Sequence, residues 1–234
     1  MSFQKKIWEY EDVVDNETAD FIERIAIHRS EYSLGKGAFG TSHISSEELN
    51  KAGLDNQIFE YMQFTQSIIN RSNNDSYPDQ VDIDYNIPFL IPLYSVLSKM
   101  NSYIGLSNII RVKLNLQPKI NEKDKSKFNF PHVDMPHGYK NYKPDTILTM
   151  IYYVNDSDGD TLFFNEEFTG NSLDLKNITV AKRVTPKKGK LIAFRSDIMH
   201  AGSHPVENDF RMAINYNVSI NDLMLDTAPP KIIS

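Results

Sequence analysis

The chain has 234 residues, a net charge of −6 at neutral pH and no cysteine. That length suits one sizeable domain with its own core, and the acidic balance leaves no basic footprint for duplex nucleic acid. Without thiols there are no disulfides, thiolate zinc sites or cysteine nucleophiles, and no run approaches the ~20 apolar residues of a membrane helix. Met1 to Lys6 lead into acidic residues rather than an apolar stretch, so a soluble, cytoplasmic protein is the expectation.

In chain order, Asp15 reads as the N-cap of an amphipathic helix to about His28, with Phe21, Ile22, Ile25 and Ala26 on its apolar stripe. The run Gly35-Lys36-Gly37-Ala38-Phe39-Gly40 fits G-x-G-x-x-G, but it follows that helix where a nucleotide fingerprint needs a strand, and neither H-R-D nor D-F-G occurs downstream. A loop that moves with substrate is expected there. Asp55 opens a second predicted helix with Ile58, Tyr61, Met62, Ile68 and Ile69 as its stripe, and a third runs from Leu93 to Tyr103. Short β-rich runs follow, giving eight expected strands near 109–117, 129–134, 146–154, 161–164, 178–184, 190–194, 199–204 and 211–219. Eight short strands separated by turn residues suggest a sandwich or jelly roll.

The chemistry-bearing pattern is His132-Val133-Asp134, then His200 66 residues beyond Asp134, then Arg211. On a strand, residues i and i+2 share a face about 6.6 Å apart, so His132 and Asp134 can converge on one ion while Val133 turns away. Two imidazoles and a carboxylate on one face of an octahedral metal leave the other face open, as in non-heme Fe(II) oxygenases. His137, His204, His28 and His43 fall outside the pattern and read as loop or surface groups.

This order and pitch, with the apolar strand Ile192-Ala193-Phe194 before His200 and the run Arg211 to Val218, resembles the 2-oxoglutarate- and Fe(II)-dependent dioxygenases over about residues 108 to 220. The prolyl-hydroxylase branch is the nearest likeness, with a counterpart to Ile151-Tyr152-Tyr153-Val154-Asn155. Asp160 stands where relatives carry a second glycine. The resemblance implies a double-stranded β-helix with N-terminal helices packed on the major sheet. It also implies that Leu148, Met150, Tyr152 and Val154, with Met212, Ile214, Tyr216 and Val218, face those helices, while Arg211 points into the roll. Residues 1–107 would be a helical support region and 108–220 the catalytic core of a single domain.

By the same resemblance, His132, Asp134 and His200 are the metal ligands. Fe(II) is then the metal and 2-oxoglutarate the cosubstrate, chelating iron while Arg211 holds its far carboxylate through a two-pronged charge-assisted pair. Tyr153 matches a hydroxyl donor to that carboxylate, and Thr149 is a further contact. Asp134 argues against the halogenase variant, in which a small residue stands there. Dioxygen would hydroxylate an aliphatic C–H bond of a small-molecule or peptide substrate. A peptidyl proline is suggested by the branch, with a free amino acid, another small molecule or a nucleobase as alternatives. The competing class is a catalytically silent cupin-like module that binds metal or ligand, which has no use for a buried Arg211.

Overall fold

In the computed structural model, residues 7–36, 62–70, 86–100, 104–134, 146–167 and 178–220 are described. Among these residues ten strands form two antiparallel sheets. The strands are β1 (Ile7–Tyr10), β2 (Ser33–Lys36), β3 (Met62–Asn70), β4 (Ile109–Pro118), β5 (Ile147–Tyr153), β6 (Thr161–Phe164), β7 (Val180–Val184), β8 (Leu191–Arg195), β9 (His200–Gly202) and β10 (Phe210–Ser219). The major sheet has the order β1-β8-β5-β10-β4-β3-β2, and the minor sheet β7-β6-β9. This is a double-stranded β-helix.

Strand alternation decides which side of the major sheet is dry. Leu148, Met150, Tyr152 and Val154 of the β5 run and Met212, Ile214, Tyr216 and Val218 of β10 join one apolar core with Val112 and Leu114 of β4. Two helices cover it, α1 (Asn16–His28) through Ile22, Ile25 and Ala26 and α2 (Ile91–Lys99) through Leu93, Val96 and Leu97. Asp15 caps α1, accepting from the Thr18 amide at 2.7 Å, which satisfies one of the donors a helix start leaves open. Pro92 lies in the first turn of α2, where its fixed φ fits and its missing N–H costs nothing. The Tyr216 hydroxyl donates to the Phe89 carbonyl at 2.5 Å, tying the sheet to the turn before α2.

Three expectations change. Residues 62–70 form β3, not the end of a helix, since Ile68 and Ile69 pack beside β4 in a β-branched run that suits a sheet. The 55–61 part of that helix lies outside the described residues. The first hundred residues are not helical support alone, because β1 pairs with β8 and β3 with β4. Residues 129–134 are not a strand: only His132 pairs, in an isolated bridge with His200. Gly35 and Lys36 belong to β2, and residues 37–40, with His43 and His137, lie outside the described residues.

Candidate metal centre and anion pocket

His132 and His200 face each other across the bridge, each amide donating to the other's carbonyl at 2.9 Å. Their rings lie 4.5 Å apart between centroids. The His132 Nδ1 sits 3.1 Å from the Phe130 carbonyl and the His200 Nδ1 2.9 Å from the Ile198 carbonyl. A carbonyl can only accept, so Nδ1 carries the proton in both rings and each Nε2 presents a lone pair. Burial holds both imidazoles neutral, pushing His132 down to about 4, with His200 lowered for the same reason.

Asp134 is placed by its own amide, which donates to the Ser196 carbonyl at 3.0 Å. Its carboxylate accepts from Arg111 at 2.5 Å, Thr149 at 2.7 Å, Asn217 at 3.2 Å and Asn215 at 3.4 Å. Burial opposes its charge, but Arg111 and these donors prevail and hold it well below the usual carboxylate range. His132, Asp134 and His200 each bring one ligand atom, all within 4.8 Å of one another. Neutral nitrogens beside an ionised carboxylate are the donor set a divalent, nitrogen- and oxygen-seeking metal takes.

At the other end of β10, Arg211 is 5% exposed and points into the roll. Its guanidinium donates to Gln117 at 2.5 Å and Thr161 at 2.8 Å, and lies 5.6 Å from the centre of the Tyr153 ring. The Tyr153 hydroxyl donates to Thr161 at 2.8 Å, and burial pushes that phenol up to about 12, so it stays protonated. Arg211 makes no ion pair with any described residue, and its buried Nε has no partner. An unpaired buried cation is costly. Its surroundings fit a carboxylate ligand.

The loop before Arg211 is pinned from a distance. Asp158 accepts from the amides of Val206, Glu207 and Asn208 at 2.9 to 3.1 Å. Asn155 grips both sides of Arg211, donating to the Phe210 carbonyl at 3.0 Å and accepting from the Met212 amide at 2.8 Å. Gly159 lets the arginine stem pass, since a Cβ there would sit 2.7 Å from the Ser203 carbonyl and 3.1 Å from the Arg211 Cδ.

The 2OG-Fe(II) oxygenase superfamily model matches residues 119–219. Over these residues the chain is similar to the 2OG-Fe(II) oxygenases. No curated protein sequence matches it. Among solved structures, a 2OG-Fe(II) oxygenase family oxidoreductase from Burkholderia pseudomallei superposes with a TM-score of 0.55 at 12% identity, covering 92% of this chain and 88% of that one. SnoN, an alpha ketoglutarate dependent epimerase from nogalamycin biosynthesis, gives 0.54 at 13% identity over 93% and 79%. SnoK, a carbocyclase of the same biosynthesis, gives 0.53 at 9% identity over 99% and 90%. At such identities these likenesses speak for the fold. The family matched over residues 119–219 is named for Fe(II) and 2-oxoglutarate, and His132, Asp134 and His200 form a set that could hold such a metal.

The structure brings His132, Asp134 and His200 together and sets Arg211 beside Tyr153. Thr149, grouped with Tyr153 in the sequence, donates to Asp134 at the metal end. His204 is buried with its Nδ1 2.8 Å from the Pro118 carbonyl, away from the triad. Sequence reasoning missed Arg111, Gln117, Thr161, Asn215 and Asn217. A signal was present: every second residue from Arg111 to Gln117 is polar, opposite Val112, Leu114 and Leu116. No helix among the described residues is long and apolar enough to cross a membrane.

Proposed function

We propose that this chain is an oxygenase that hydroxylates an aliphatic C–H bond. In this reading His132 and His200 hold Fe(II) through Nε2 and Asp134 through a carboxylate oxygen, while Arg211 takes the far carboxylate of 2-oxoglutarate. The carrying observation is that the three ligand atoms, within 4.8 Å of one another, share the inner side of the roll with a buried arginine lacking an ion-pair partner among the described residues. Held by these residues, Fe(II) and 2-oxoglutarate would supply the dioxygen-dependent oxidising chemistry, with succinate and CO2 as the by-products. The protein's own residues set the stage. Thr149, Asn215 and Asn217 orient the Asp134 carboxylate, and Gln117 and Thr161 aim the Arg211 guanidinium so that two N–H groups can meet one carboxylate. Tyr153, protonated by burial, supplies a neutral donor beside it.

The prolyl-hydroxylase resemblance of the sequence suggests a peptidyl proline, with a free amino acid, another small molecule or a nucleobase as alternatives. SnoN and SnoK, named as epimerase and carbocyclase, support a second outcome at the same carbon, hydrogen removal without net hydroxylation. Succinate formation from 2-oxoglutarate with Fe(II), followed by mass spectrometry of the product, separates the two. A gain of one oxygen atom supports hydroxylation. An isomeric or dehydrogenated product replaces it, and no succinate with any substrate revives the silent module.

A further inference from the structure

The inner face of β4 carries a second cation beside the metal centre. Arg111, Lys113, Asn115 and Gln117 alternate there, back to back with the core residues Val112 and Leu114. Register places Lys113 between Asn215 of β10 and Ser67 of β3, and Arg111 next to Asn217. Lys113 is partly buried, and no hydrogen bond or ion pair joins it to any described residue. Burial and the neighbouring Arg111 work against its charge, and Asp134 is the carboxylate that works for it. Asp134, however, is already held by Arg111 at 2.5 Å.

Loading the site does not cure the imbalance. One carboxylate of the cosubstrate matches Arg211. The other, with Asp134, matches the divalent metal. Arg111 and Lys113 then remain as a surplus cationic pair on a partly desolvated surface, which favours an incoming anion.

Among the described residues, topology leaves this pair beyond the edge of the minor sheet. The minor sheet ends at the His132 segment beyond β9, whereas the major sheet runs on past β4 through β3 and β2. The side of β3 that continues the Lys113 face is polar, with Gln63 donating to Asn115 at 2.7 Å and Ser67 exposed. A core would not tolerate such a surface, but a substrate could lie along it.

Resting on the oxygenase reading above, we infer that Lys113, with the Asn215 amide beside it, receives a carboxylate of the primary substrate, so that the substrate is a small organic acid. Asn215 bonds to Asp134, and Lys113 is one strand away, about 4.8 Å. The acid group and the carbon to be oxidised therefore belong to one short molecule. Arg111, engaged by Asp134, adds to the field that draws the acid in.

The test uses protein loaded with Mn(II) and 2-oxoglutarate without oxygen, titrated calorimetrically with N-acetyl amino acids as free acids and as their primary amides. At least one acid is expected to bind, with its amide weaker by about tenfold or more, the scale of one charge-assisted hydrogen bond. Lys113→Met should close that gap and Lys113→Arg preserve part of it, while the 2-oxoglutarate Kd stays unchanged in both. Equal binding of acid and amide, no acid binding, or a preference that survives Lys113→Met overturns the inference. Loss of 2-oxoglutarate binding in Lys113→Met also overturns it, by assigning the lysine to the cosubstrate. If the unsubstituted protein fails to bind 2-oxoglutarate, the oxygenase reading falls first, at a step before any acid is added.

Discussion

At one end of the inner sheet face Asp134 accepts from four side chains, while at the other, among the described residues, Arg211 hydrogen-bonds to neutral oxygens and lies beside a ring. Both groups are buried and charged, yet their charges are handled differently. The carboxylate is compensated from within by Arg111, so it stays ionised and aimed whether or not an ion is present. The guanidinium has directional support from Gln117 and Thr161 but no ion-pair partner among the described residues. A carboxylate held this way is a ligand kept ready for a metal, and a cation left this way is a receptor for an anion. The same sheet thus preorganises one partner and waits for the other.

Asp134→Ala breaks the first end most severely. It removes a ligand and strands Arg111, so metal affinity should fall by more than the roughly 10- to 100-fold typical of losing a supporting group, with turnover abolished. Mn(II) binding followed by electron paramagnetic resonance checks this, and retained stoichiometric metal would refute the ligand assignment. Arg211→Ala should leave metal binding intact and weaken 2-oxoglutarate by about 100-fold, the scale of two charge-assisted hydrogen bonds. Arg211→Lys should recover only part of that, because the ammonium keeps the charge and loses the fork. Calorimetry with metal present and oxygen excluded gives both numbers.

Thr149→Val sharpens the comparison. If Thr149 serves the metal end, the variant should lose about tenfold in metal affinity and nothing in 2-oxoglutarate affinity. The reverse pattern would return it to the cosubstrate. The smallest effect is that of pH. Burial lowers His132 to about 4 in the folded protein, so metal should stay bound well below the ordinary histidine pKa of about 6.5. The unfolded chain takes up this proton first as pH falls, so the metal-free protein should lose stability from about 6.5 down towards 4 and level off below. Urea melts at stepped pH measure this, and a flat profile would mean that the imidazoles are not desolvated.

Much of this was legible because it depends on periodicity. The i, i+2 spacing of His132 and Asp134 and the alternation of β5 and β10 place residues on faces without any knowledge of partners. The helix starting after Asp15 was equally plain from its cap and stripe. What escaped depends on register. Nothing local says that Arg111 lies opposite Asn217 or that Gln117 lies opposite Arg211, so their roles emerge only when strands pair. Thr149 was put on the correct face, but periodicity does not rank positions along a strand, and its hydroxyl met the metal end instead. The β3 error has a related cause, since Met62, Ile68 and Ile69 fit a helical stripe and a strand equally well when read alone.

Because His132 and His200 hydrogen-bond to each other through the backbone, the gap between two of the three metal-binding side chains is fixed by chain pairing and not by an ion. These positions lie 68 apart in sequence, and the loop between them is closed by their own bridge at the edge of β9. In a zinc finger, by contrast, the metal itself closes the loop and its removal unfolds the domain. Here the backbone pairing sets the gap, so assembly and metallation should be separable. A chelator should strip the metal without changing the far-ultraviolet circular dichroism, and reloading should proceed in a single phase on a finished scaffold.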